Sequence, residues 1–154
     1  MVKRKRNMRP FWRLLFLIYS VITLWLLFGR SQEWITGFTY RDMIRSRLNI
    51  VPFETITRFL NVILHHPDWD IYNHCLINLV GNVVLFIPAG FLIPRCFPVL
   101  GKFLRFFAVC FAAIVMVEMI QLMTLLGYFD VDDITLNLLG MVIGYLLHLC
   151  FRRK

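Results

Sequence analysis

An all-α integral membrane bundle, with about four transmembrane helices and one amphipathic interfacial helix in the first outer loop, is the fold the sequence predicts. Three observations predict it. The chain of 154 residues is 59% hydrophobic, above the roughly 45–50% of a soluble domain, and its mean hydropathy is +0.69. Four windows approach the roughly 20 mostly apolar residues that a bilayer crossing requires. The basic residues gather beside those windows instead of covering a solvated surface. The net charge of +8 and the pI of about 9.8 therefore point to a membrane and argue against a nucleic-acid partner. The length fits a single domain over 1–154, opened by a basic cytoplasmic segment at 1–10.

The first span, at about 11–28, follows "MVKRKRNMR". Its apolar run is long, and "LLFGRSQEW" offers no small-x-small cleavage site, so it reads as an uncleaved anchor and not a signal peptide. The loop at 29–74 is too long for a simple connector. Within it, "RSRLNIVPFETITRFLNVILHH" carries Pro52, which suits a helix's first turn. Phe53, Ile56, Phe59, Leu60, Ile63 and Leu64 then recur at helical spacing, which predicts an amphipathic helix on the outer face or in the bundle mouth. Trp69, Tyr72 and Tyr128 fit interfacial belts. The remaining spans lie at about 75–93, 103–126 and 134–151.

Charge sets the direction. Twelve of the 17 Lys and Arg residues fall on one side. Lys3, Arg4, Lys5, Arg6, Arg9 and Arg13 open the first span, Arg95, Lys102 and Arg105 separate the second and third, and Arg152, Arg153 and Lys154 end the chain. The positive-inside rule then places both termini in the cytoplasm, as an even number of spans requires.

Several polar residues interrupt this pattern. Glu118 and Gln121 share one face of the third span at i, i+3. Glu118 lies roughly 12 Å below that span's outer end at 1.5 Å per residue. An ionised carboxylate costs about 2.5–3.5 kcal/mol or more at a helix centre, so Glu118 requires protonation, a partner or a wet cavity. His74, Asn78 and Asn82 form a stripe at i, i+4, i+8 in the outer half of the second span. Pro88 and Gly90 fall in its inner half, where a kink would free backbone carbonyls. Asp133, Asn137, Gly140, Gly144 and His148 form a stripe on the fourth span. Gly140-x-x-x-Gly144 is a small-residue face for close helix packing and offers a homodimer contact.

Asp130, Asp132 and Asp133 precede or open that span. One capping Asp is ordinary, and three exceed the need. Arg45, Arg47 and Arg58 are the available partners for a carboxylate–arginine lid. A divalent cation on D-x-D-D is the weaker alternative, and no metal or cofactor is expected. The four cysteines, Cys75, Cys96, Cys110 and Cys150, have no ligand spacing and read as small apolar packing residues. The topology thus brings Glu118, Gln121, Asn78, Asn82, Asp130, Asp132, Asp133 and Asn137 to one leaflet, where they form a candidate pocket with Arg47.

Three stretches together resemble the VanZ-like family of small bacterial membrane proteins. They are "RLNIVPFETI", "NLVGNVVLFIPAGFLIP" and "VEMIQ" followed by "FDVDDITLNLLGMVIGY", and the resemblance runs over about 47–145. One departure stands out. Many members resemble an Arg-x-Phe-Asp pattern before the acidic pair, and here Gly127 holds the Arg position. The resemblance implies a bacterial cell-membrane protein with a role in the cell envelope or in resistance to teicoplanin, a lipid-tailed glycopeptide, without supplying a molecular activity.

Three functions remain open on the residues. The first is a factor whose outward-facing pocket binds an amphiphile, either a membrane lipid or a lipid-tailed glycopeptide. The second is an enzyme acting on lipid-linked envelope substrates through Glu118 or an aspartate. Against it, no Ser or Cys nucleophile adjoins a base, and neither H-E-x-x-H nor a glycine-rich phosphate loop occurs. The third is proton-coupled transport titrating Glu118, although no inverted repeat is visible.

Overall fold

The computed structural model describes residues 9–29, 37–65 and 68–152. Lys3, Arg4, Lys5, Arg6, Arg153 and Lys154, named above, lie outside the described residues. The elements are α1 (Arg9–Phe28), α2 (Tyr40–Ser46), β1 (Leu48–Asn49), α3 (Glu54–His65), α4 (Trp69–Cys96), a 3-10 turn (Pro98–Gly101), α5 (Phe103–Thr124), β2 (Phe129–Asp130) and α6 (Val131–Arg152). Helices α1, α4, α5 and α6 are each long and apolar enough to cross a membrane. The all-α bundle expected from composition is the fold that forms.

The four long helices share two ends. At one end Gln121 of α5 donates to the Leu27 carbonyl of α1 at 3.0 Å, and Asn82 of α4 donates to Asp133 of α6 at 2.6 Å. At the other, Trp12 of α1 meets Phe91 of α4 edge to face, and Phe103 of α5 meets Tyr145 of α6. Helices α4 and α6 therefore run parallel, with α1 and α5 opposed to them. The first end is called the polar end here and the second the basic end, where Arg9, Arg13, Arg95, Lys102 and Arg105 lie.

Each helix keeps its apolar residues outward as well as inward. Leu14, Leu17, Val21 and Trp25 of α1 are exposed at three- and four-residue spacing, as expected of a helix whose solvent on that face is lipid. On its other face the Tyr19 hydroxyl donates to the Leu85 carbonyl at 2.7 Å. That acceptor is not the carbonyl freed by Pro88, which belongs to Val84. Despite Pro88 and Pro94, α4 runs as one helix. It also starts earlier than the apolar window suggests, because Asp68 caps it by accepting from the Asp70 N–H at 2.9 Å.

The seam between α4 and α6 is the tightest in the bundle, and glycine makes it possible. A Cβ at Gly140 would strike the Val83 carbonyl. One at Gly144 would strike the Ile87 carbonyl, and one at Gly90 the Met141 carbonyl. This corrects the reading of Gly140 and Gly144 as a homodimer face. Both glycines are buried within the chain against α4, so a second copy has no access to them. Below the seam, Phe106 stacks on Tyr145 at 4.7 Å over Cys110 and Ile114. The Tyr145 hydroxyl is satisfied by the Gly101 carbonyl at 2.8 Å. Cys75, Cys96 and Cys110 are buried free thiols and Cys150 is exposed.

The segment 37–65 differs from the expectation in detail. Pro52 lies outside the amphipathic helix, which starts at Glu54 after Phe53 adopts φ 65°. Phe53, Leu60 and Leu64 are exposed, while Thr55 is buried and Ile56, Phe59 and Ile63 are half-buried. The inward face is thus rotated from the one that hydrophobicity alone indicated, because Thr55 has a polar partner inside. Helix α2 was not anticipated, although Thr39 and Asp42 form a capping box for it, a pattern with a known physical basis. Nor was the two-residue parallel pairing of Leu48 with Phe129 and Asn49 with Asp130.

If the glycine seam sets the approach of α4 and α6, Gly144→Leu forces the helices apart. The expected loss is at least about 1–3 kcal/mol, the usual cost of overpacking. It is measured as a lower thermal unfolding midpoint in detergent, with Gly101→Ala, where an added Cβ meets nothing within 4 Å, as the unaffected control.

Candidate functional site

The polar end is built on three aspartates with three different sets of partners. Asp130 precedes α6 and caps it, its Oδ1 accepting from the Asp132 N–H at 2.8 Å. Its Oδ2 accepts from the Thr55 hydroxyl at 2.5 Å and from Asn49 Nδ2 at 3.3 Å. Asp132, 1% exposed, reaches across to α3. It accepts from the Phe53 N–H at 2.6 Å and the Ile56 N–H at 3.0 Å.

The first N–H groups of a helix need an acceptor, usually the side chain of the residue just before it. Phe53 has none to give, so α3 is capped in trans by a carboxylate from α6. Asp133 then accepts from Asn82 of α4. The number of aspartates beyond a single cap is explained by this division of work.

Arg47 stands at the junction of the two short strands. Its guanidinium donates to the Leu125 carbonyl and lies 5.7 Å from the centre of the Tyr128 ring. Leu125 ends α5 in the left-handed region at φ 57°. This conformation costs a non-glycine residue about 1–2 kcal/mol, here offset by the burial of Leu125, which is 3% exposed, and by the Arg47 bond. Phe129 N–H donates to the Arg47 carbonyl at 2.9 Å. Arg47 therefore braces the turn between α5 and α6. At Gly127 a Cβ would lie 3.1–3.3 Å from the Gln121 side chain, so the small residue there leaves room for Gln121 to turn toward α1.

These elements enclose a cavity of about 520 Å³ at the polar end. Of the residues singled out from sequence, Arg47, Asn78, Asp130 and Asp133 line it. Asn82 supports the wall through Asp133. Glu118 and Asn137 are only 3% and 2% exposed and lie deeper between the helices. The Glu118 carboxyl lies within electrostatic reach of Asp130 and Asp133. Gln121 is not brought to the cavity, its amide engaging Leu27 of α1.

Three buried acceptors, Asn78 Oδ1, Glu118 Oε2 and Asn137 Oδ1, have no hydrogen-bond partner. Such groups each carry a desolvation cost of about 1–3 kcal/mol. Sequence reasoning gave no role to Thr55, a lone hydroxyl at one edge of an apolar helix face. It named Arg58 only as a lid partner and placed His74 in the stripe with Asn78 and Asn82 without adding it to the pocket. All three line the cavity. The spacing of Thr55 and Arg58 carries no signal, because the 29–74 loop alone brings them to α6, whereas His74 shares its helical stripe with Asn78 and Asn82. The D-x-D-D run is occupied by N–H and O–H donors, which leaves Asp130 and Asp132 as scaffold.

A bundle of four bilayer-length apolar helices with a charged chamber at one end defines a small helical membrane protein with a polar cavity beside the lipid. The chain belongs to the VanZ/LLP1 family, whose model matches residues 16–152. It is similar to Protein VanZ of Enterococcus faecium, with 29% identity over 132 residues that cover 85% of this chain and 69% of that protein. No solved structure matches the chain.

Removing the trans cap has a local signature. Asp132→Ala is expected to cost about 0.5–2 kcal/mol, the range for cap deletions. Hydrogen exchange should show the Phe53 and Ile56 amides losing protection, with the amides in the middle of α5 unchanged.

Proposed function

We propose that the polar end faces outward and that its cavity receives the polar head of an amphiphile, a VanZ-like role in cell-envelope function or in resistance to lipid-tailed glycopeptides of the teicoplanin type. The observation that carries this reading is the cavity itself. Arg47, Asn78 and the pair of Asp130 and Asp133 converge there from three separate segments of the chain. Its volume of about 520 Å³ lies within the roughly 300–1,000 Å³ of small-ligand sites, so it suits a head group and not a whole glycopeptide. Exposed Ile50, Val51, Phe53 and Leu60 stand close by in the chain, supplying an apolar surface for a lipid tail. With the polar end outward, both chain ends and the basic end face the cytoplasm, in keeping with the positive-inside rule.

Two measurements test this. In a susceptible host, Glu118→Gln and Asp133→Asn should each reduce teicoplanin protection to the level of cells lacking the protein, with membrane abundance and thermal midpoint retained. Full protection by both variants would reject the reading. In a Cys150→Ser background, a thiol at Asn61→Cys on α3 should react with a membrane-impermeant maleimide in intact cells, and one at Lys102→Cys only after permeabilisation. The reverse pattern would refute the orientation.

A further inference from the structure

We infer that the head group taken by the polar-end cavity is a phosphate ester that also carries hydrogen-bond donors, with Arg58 and Arg47 holding the phosphate and Asn78 and Asp133 receiving the donors. This rests on the amphiphile-binding reading above and names its ligand class.

Glu54, Asp130 and Asp133 line the cavity, and the two aspartates suggest a cationic ligand until their partners are counted. Asp130 already accepts on both oxygens, from the Asp132 N–H, Thr55 and Asn49. Asp133 already accepts from Asn82. The guanidinium groups are less engaged. Arg47 gives one hydrogen bond, to Leu125, out of five N–H donors. The described contact of Arg58 is with the face of the Phe59 ring, 5.4 Å from its centre, which engages none of its N–H groups. Arg58 lines both this cavity and a second hollow of about 580 Å³ along the polar face of α3, as Glu54 does one turn earlier. The planar fork of guanidinium matches two phosphate oxygens at once, and such charge-assisted pairs are the stronger hydrogen bonds.

The other half of the ligand follows from an unmet need. Asn78 lines the cavity, and its Oδ1 is buried without a donor. A bare anion would leave that acceptor unsatisfied and would face the Asp133 carboxylate. A head with only a quaternary ammonium would offer no N–H or O–H and would meet two arginines. A phosphate flanked by hydroxyl or amino groups answers both sides, and a glycerol phosphate or sugar phosphate is of a size for the cavity. The same chemistry occurs in a lipid head group and in a free phosphate ester.

The test uses the full chain in detergent. Short-chain phosphatidylglycerol, with a phosphate and a diol, is compared with short-chain phosphatidylcholine, with a phosphate and no donor, and with glycerol 3-phosphate, with retained ligand counted by native mass spectrometry. Phosphatidylglycerol should bind about tenfold more tightly than phosphatidylcholine, and Arg58→Gln should weaken it about tenfold, the scale of one charged hydrogen bond. Arg105→Gln at the basic end should leave it unchanged. Competition by glycerol 3-phosphate at similar concentration would support the inference with a free ester as the source, and absence of competition would support it with a lipid as the source. Equal binding of both lipids, or binding unaffected by Arg58→Gln, overturns the inference. Tighter binding of dodecyltrimethylammonium than of either phospholipid overturns it while leaving the amphiphile cavity standing. No binding of any amphiphile removes both.

Discussion

The polar end depends on one interaction, the carboxylate of Asp132 accepting the Phe53 and Ile56 N–H groups from a helix that is remote in sequence. Backbone donors near or within lipid have no water to fall back on, so each requires an internal acceptor. Phe53, held at positive φ, exposes its N–H at the start of α3 without a side chain able to cap it. Because the acceptor comes from α6, the start of α3 is held at the mouth of the bundle. Asp130 makes the same tie through Thr55 and Asn49. The two-residue strand pair and the Arg47 bond to Leu125 complete it. The cavity is what remains between segment 46–59 and the helix starts it is fastened to.

Depth is set lower down, by glycine. With Gly140, Gly144 and Gly90 in contact with opposing backbone, α4 and α6 approach more closely than any side chain would allow. Asn82 comes within 2.6 Å of Asp133 as a result. Hydrocarbon gives helices no solvophobic reason to associate, so close packing and polar contacts must supply the association. The seam does so while leaving Glu118 and Asn137 enclosed at nearly zero exposure.

Much of the architecture was legible because lipid is a demanding solvent. Four spans followed from length and hydropathy, and four helices of that kind occur among the described residues. The placing of Asn78, Asp130 and Asp133 at one end followed from helix spacing and alternation of direction, with Arg47 added as a loop cation available to the aspartates. Gln121 shows where that reasoning stopped. A helical face i, i+3 from Glu118 still spans a wide arc, and the Gln121 amide donates to the Leu27 carbonyl of α1 instead. Thr55 and Asn49 were opaque for a different reason. Their partner Asp130 is 75 and 81 residues away, and nothing local distinguishes a buried hydroxyl from a solvated one.

The sequence by itself determined the class of protein, the number of bilayer-length helices and the end at which acidic and amide groups would collect, since hydropathy and period are properties of short windows. Only the tertiary structure decided which aspartate braces and which faces the cavity, that the glycines pair within the chain, and that Arg47 and Arg58 retain donors to offer. Those outcomes depend on competition among many possible donors and acceptors. It is resolved by three-dimensional distance, which the order of residues along the chain does not encode locally.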